Sequence, residues 1–260
     1  MFGSTPAVTV AQLVTTNHDW DSVNFNGSGI SFAGTDFSGG GYSLSGTNFT
    51  GVDLTNTNWD GQNVIATITN ANFTGASFVG ATFNGGTGFN LTNADLTSAD
   101  FNSTFYSNVN LTGATMTDAD IDFATFSSPV GTTGAQLDAT NHNWLGTRII
   151  NGDLSGIDFV AGSYALGSST SFQNSNLSNT TFAGGVFGTV TASGANFTNA
   201  DLTGAAFTSL SVSGANLTDA TFTGATGVVS GATAIYSNTT CPDTVIAPAG
   251  APTCVGHGFA

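Results

Sequence analysis

Three groups of residues in this chain carry chemistry beyond packing. His18 and His142, with Asp19 and Asp21 close to the first, have the donor atoms of a metal site. Asp118, Asp120 and Asp122, in the run TDADID, present the alternating oxygen ligands with which calcium loops begin, but the turn glycine and terminal Glu of such loops are missing, so a solvated acidic edge is expected ahead of a calcium site and no metal is assigned. Cys241 and Cys254 are the only 2 cysteines and stand near the C-terminus. A disulfide between them would close a short loop, worth about 3 kcal/mol on a loop-entropy basis, and points to an oxidising compartment. There is no Glu and no Lys, and Arg148 is the single basic residue besides the histidines. No acid–base pair, nucleophile constellation or phosphate-binding loop is visible, so neither an enzyme nor a cofactor is expected.

The elements that must hold these residues are constrained first by composition. All 16 acidic residues are Asp, and the net charge is −15. Without Glu and Lys, a helical bundle or a doubly wound α/β sheet lacks its usual helix formers. A hydrophobic share of 40% still supports a core, so the low charged share of 7% does not indicate disorder. With one Arg, the chain has no cationic cluster to displace counterions from phosphates, which argues against direct nucleic-acid binding and against anionic membranes. No apolar stretch approaches the roughly 20 residues of a membrane span, so membrane insertion is not expected. The opening MFGSTPAVTVAQL has neither a basic nor an apolar leader region, and together with the cysteines this is read as an extracellular or cell-surface chain whose leader has been removed.

Periodicity identifies the architecture. Large apolar residues recur every fifth position at Leu91, Leu96, Phe101, Tyr106, Leu111, Met116, Ile121 and Phe126. A second run passes through Phe172, Leu177, Phe182, Phe187, Ala192, Phe197, Leu202, Phe207, Val212, Leu217 and Phe222. A period of 5 fits neither an α-helix nor a simple alternating strand. Two positions before each centre stands a small residue, usually Ala; one before is Asn or Asp; one after is often Thr or Ser, as in ANFTG, ADLTG and ANLTD.

By these residues the sequence resembles the pentapeptide-repeat family, whose consensus is A(D/N)LXX, over roughly residues 20–227. The resemblance implies an all-β fold, a right-handed quadrilateral parallel β-helix in which four pentapeptides make the sides of one coil. The large centre and its small partner point inward and stacked coils bury one continuous column. Phe197, Leu202, Phe207, Leu217 and Phe222 are taken as centres of that column. Register slips, as between Val64 and Ile68, mark bulges or corner loops. QLVTTNHDW at 12–20 and QLDATNHNW at 136–144 are offset by 124, which suggests a duplicated unit. At 20 residues per coil that offset is about six coils, roughly 29 Å, too far for His18 and His142 to share an ion.

The chain is divided into an N-terminal strand or cap (1–19), a first β-helix half (20–126), a junction with a loop excursion (127–143), a second half (144–227) and a disulfide-bearing cap (228–260). That last segment resembles the tails of exported bacterial members. Asp118, Asp120 and Asp122 are all expected to face outward, with Asp120 stacked on Asp100. Thr92 over Thr112, Thr97 over Thr117, Thr198 over Thr218 and Thr203 over Thr223 make threonine rows, and the many N-x-[ST] triplets follow from the repeat itself. The leading functional expectation is a non-enzymatic extracellular structural or interaction scaffold that self-assembles into homo-oligomers or filaments. One alternative is an acidic DNA mimic that binds a topoisomerase, as some relatives of this type do. A second is ice or polymer binding through the threonine rows.

Overall fold

One coil shows how the five-residue period becomes a fold. Asn90, Asp95, Asp100 and Phe105 stand at successive steps, and each pairs in parallel with Asn110, Thr115, Asp120 and Thr125 respectively. Four ladders per turn make a four-sided coil, and partners 20 residues apart stack. The pattern recurs where Asn176, Thr181, Val186 and Thr191 pair with Asn196, Asp201, Ala206 and Ser211. These are features of a computed structural model, which describes residues 19–37, 47–50, 52–59, 66–67, 71–74, 77–78, 82–83, 90–167, 169–230, 233–247, 254 and 257. Residues 1–18, with His18, and the register slip between Val64 and Ile68 lie outside that set.

On one side, and in the last three strands across the adjoining side as well, the ladder is regular enough to form strands. Strands β3 (Thr82–Phe83), β4 (Phe105–Ser107), β5 (Thr125–Ser127), β6 (Arg148–Ile150), β7 (Thr170–Ser171), β8 (Val186–Thr191), β9 (Ala206–Ser211) and β10 (Thr226–Ser230) stack in chain order as an 8-stranded parallel sheet. Before it, β1 (Thr47–Asn48) pairs in parallel with β2 (Ala66–Thr67). After it, β11 (Thr239–Thr240) and β12 (Ile246–Ala247) form an antiparallel pair in the C-terminal tail.

The core is the column expected from the period. Phe197, Leu202, Phe207, Leu217 and Phe222 are all buried, as are Ala195, Ala200, Ala205, Ala215 and Ala220 between them. Aromatic rings stack from coil to coil: Phe78 on Phe101 (5.1 Å), Tyr106 on Phe126 (4.9 Å) and Phe159 on Phe182 (4.4 Å). Each such side chain contributes about 1.5–3 kcal/mol by burial, which a rod with few ion pairs depends on. Where Thr replaces Ala at the small inward position, its hydroxyl donates to a backbone carbonyl, as Thr104 does to Phe101 O (2.6 Å) and Thr180 to Leu177 O (2.7 Å). Burial of that hydroxyl is thereby compensated.

The corners explain the rest of the repeat. The Asn or Asp before each centre accepts, through Oδ1, the N–H of the residue two further on, as Asn110 does from Thr112 (3.0 Å) and Asp201 from Thr203 (2.9 Å). The following residue turns the chain with φ in the left-handed region: Asn93, Ser98, Asp118, Asn199 and Asp219 at φ 54–59, or Gly at other corners. Only Gly and short polar residues adopt that conformation at little cost.

The junction departs from expectation. In place of a bare loop excursion, a short helix α1 (Gly134–Asp138) interrupts the coil. Thr133 caps it, accepting the Gln136 N–H while the Gln136 side chain accepts the Thr133 N–H, and Gln136 Nε2 also donates to Leu111 O and Ala114 O. This capping box tips five residues of a Gly- and Thr-rich stretch into helix despite the composition. The insertion stretches the ladder step to 23 residues, so that Thr125 pairs with Arg148.

Candidate functional site

The acidic run does not make a calcium loop, because its three carboxylates diverge. Asp118 occupies a corner at φ 54 and is exposed, and Asp120 lies on a side with its backbone paired to Asp100. Asp122 was expected to face outward, and here the expectation fails: it is only 7% exposed. The cause is the insertion below Trp144. In a regular corner the residue before the centre caps the N–H after it; here Asn143 instead turns its Nδ2 onto Asp122 Oδ2, and Asp122 Oδ1 accepts the Leu145 N–H (3.0 Å). Asp122 thus caps the next coil from the coil beneath. Burial, and then the charges of Asp120 and Asp100, push its carboxyl up to about 6. Among the described residues no three His, Cys or Asp converge as metal ligands.

His142 belongs to a different cluster at the same junction. Its Nε2 lies 2.6 Å from the Asp138 carbonyl oxygen, which requires a proton on that nitrogen, and its ring packs on Tyr164 at 4.3 Å. Tyr164 donates to Asp138 Oδ1 (2.7 Å), and burial followed by that bond hold its hydroxyl protonated far above the usual phenol range. No sequence pattern marks Tyr164. Asp138 carried one faint signal, since the other copy of QLDATNHNW has Val14 in its place. The cluster ties α1 to the coil above it.

At the C-terminal end Cys241 and Cys254 are joined, with Cα atoms 5.3 Å apart. Asp243 and His257 meet across the same loop at 2.8 Å, and the His257 ring holds Asp243 below the usual carboxylate range. A shallow surface notch of about 230 Å³ is lined by Phe159, Val160, Ser163, Tyr164, Gly185, Val186 and Phe187.

The threonine rows have a corner role. Thr92, Thr97, Thr112, Thr198 and Thr218 turn their hydroxyls onto the Oδ1 of Asn90, Asp95, Asn110, Asn196 and Asn216 at 2.6–2.7 Å. The same clamp engages Asn72 and Asn196 of the N-x-[ST] triplets. No helix among the described residues is long and apolar enough to cross a membrane.

Comparison with known proteins agrees with this geometry. Two family models, both described as pentapeptide repeats, match residues 44–93 and residues 94–128, 170–208 and 189–224. No curated protein matches the sequence at a significant level. Among solved structures, the chain is similar to HetL, a pentapeptide repeat protein involved in heterocyst differentiation regulation from the cyanobacterium Nostoc sp. strain PCC 7120. Identity is 16%, with 92% of this chain and 99% of that one covered and a TM-score of 0.38. It is also similar to trypsin-treated QnrB1, a plasmid-mediated fluoroquinolone resistance protein, at 17% identity, 71% and 79% coverage and a TM-score of 0.30. Identities this low are likenesses of fold alone.

Proposed function

Because the chain belongs to the pentapeptide-repeat family, we propose that it is a non-catalytic scaffold, exported and self-associating, that works through the outer faces of its rod. The observation that supports this best is how the polar side chains are used. The Asn, Asp and Thr residues that dominate the surface are turned onto their own corners, so each coil presents flat sides in place of a chemical pocket. The Cys241–Cys254 link closing the C-terminal tail suits an oxidising, extracellular setting. Fractionation and imaging of the source cell test the location. Protein found only in the cytosol with both thiols reduced would refute export.

A second reading, an acidic DNA mimic that binds a topoisomerase, draws support from one side of the rod where Asp36, Asp100 and Asp120 stand at ladder positions. Its columns are diluted by Asn58 and Ser77, which makes it the weaker of the two. Ice or polymer binding through the threonine rows ranks third, since the hydroxyl protons of Thr92, Thr97, Thr112, Thr198 and Thr218 are already engaged.

A further inference from the structure

The four sides of the rod are not alike, and one of them carries an exposed aromatic residue and an exposed Arg in the same ladder. Along the 8-stranded side the ladder positions Phe105, Thr125 and Arg148 are partners in successive strands, and no Asp stands among them or at Thr191, Ser211 and Ser230 further on. Phe105 is 43% exposed and Arg148 is also exposed. At the adjoining corner Phe123 is 54% exposed and Leu145, whose carbonyl accepts the Phe123 N–H, is 40% exposed. Three exposed large apolar side chains thus stand on the same coil as the chain's sole Arg or on the two coils beneath it, and that Arg makes no ion pair among the described residues.

Phe123 is held there against its preference. It occupies the left-handed corner position at φ 52, where the neighbouring corners use Ser103 and Gly146. A bulky residue in that region is strained. Its ring lies against Gly146, where an added β-carbon would fall 2.4 Å from Phe123 Cδ1. The chain therefore tolerates strain at Phe123, and keeps glycine beside it, with the aromatic ring at the surface.

We propose that this side is the contact by which one copy of the chain binds a second, with Arg148 set against the Asp100–Asp120 stack of the next copy and Phe105, Phe123 and Leu145 covered in the contact. Charge decides the occupant. The rod carries 16 Asp and one Arg, so a contact between copies finds an opposite Lys or Arg charge only if it includes Arg148. At physiological salt the screening length is about 8 Å, so the overall repulsion between two acidic rods is damped and local pairing governs. Asp100 and Asp120 are paired neighbours on the adjacent side, five residues before Phe105 and Thr125, and form the nearest stacked carboxylates. The Arg148 side has no Asp of its own at these positions. Two Arg148 sides cannot satisfy each other, and the contact joins unlike sides, which propagates from copy to copy.

The proposal rests on the self-association reading above and is tested with the full chain by sedimentation equilibrium. Wild type is expected to associate, whereas Arg148→Asp and Asp120→Arg each weaken association by about tenfold or more. An equimolar mixture of the two variants should regain the wild-type mass, because each supplies the charge the other lacks. Phe123→Asn gives a separate readout: Asn suits the left-handed corner, so its melting temperature should rise while association falls. Association of Arg148→Asp equal to wild type, or a mixture that stays monomeric, would overturn this contact and leave self-association standing. A wild-type monomer at every concentration would overturn both.

Discussion

Asp122→Asn isolates the one buried carboxylate in the described rod. In the native state burial and the charges of Asp120 and Asp100 push that carboxyl up to about 6 from the 3.8 of a free Asp, because they disfavour its ionised form. A raised carboxylate pKa means that the folded state binds the proton more tightly than the unfolded one. The resulting penalty is fully present above pH 6, shrinks as pH falls through 6 and is absent below 3.8. Two pKa units correspond to about 3 kcal/mol, an upper bound for a group that also accepts two hydrogen bonds in its charged form. Asn at this position keeps the acceptor for the Leu145 N–H, and rotation of the Asn143 amide restores the other bond. Melting followed by circular dichroism should therefore show Asp122→Asn above wild type by roughly 3–8 °C at pH 7.5 and level with it near pH 4. Arg148 stands one coil above Asp122 and is the only trypsin site, so its cleavage in the native protein should also be slower in the variant at pH 7.5. A variant that melts below wild type by the same margin at both pH values would show that the carboxylate is a stabilising cap and refute the reasoning.

Other outcomes test other parts of the account. Phe197→Asp places a charge in the column and should cost several kcal/mol, preventing folding, while Thr198→Asp on the outer side of the same repeat should shift stability by no more than about 1 kcal/mol; equal melting of the two would contradict the assigned faces. Native protein denatured without reductant should yield no free thiol, and reduction of Cys241–Cys254 should lower the melting temperature; two titratable thiols would remove both the cap and the case for export. The DNA-mimic reading predicts inhibition of a topoisomerase that weakens with salt, and its absence at low ionic strength would eliminate that reading.

The five-residue period was enough to place Phe197, Leu202, Phe207, Leu217 and Phe222, because a repeat that stacks on itself gives every coil the same inside and outside. It also located the Asn and Asp positions without showing why they are used; only the bonds that Asn110 accepts from Thr112 and Asp201 accepts from Thr203 reveal them as corner caps. The errors gather where the repeat is interrupted. A Thr-x-x-Gln capping box at Thr133–Gln136 was present in the sequence and starts α1, yet a period of 5 does not register a helix of 5 residues. That insertion is what turns Asp122 inward, so its burial was not legible from its own neighbours. Tyr164 and Asp138 meet through the same interruption, at a separation of 26 residues that no local pattern encodes.

The claim that this rod works by associating with itself is tested most directly by the mass of the purified full chain in solution, measured by light scattering from micromolar to submillimolar concentration at physiological salt. The account predicts a mass above 26.0 kDa that rises with concentration. A constant 26.0 kDa throughout would contradict it.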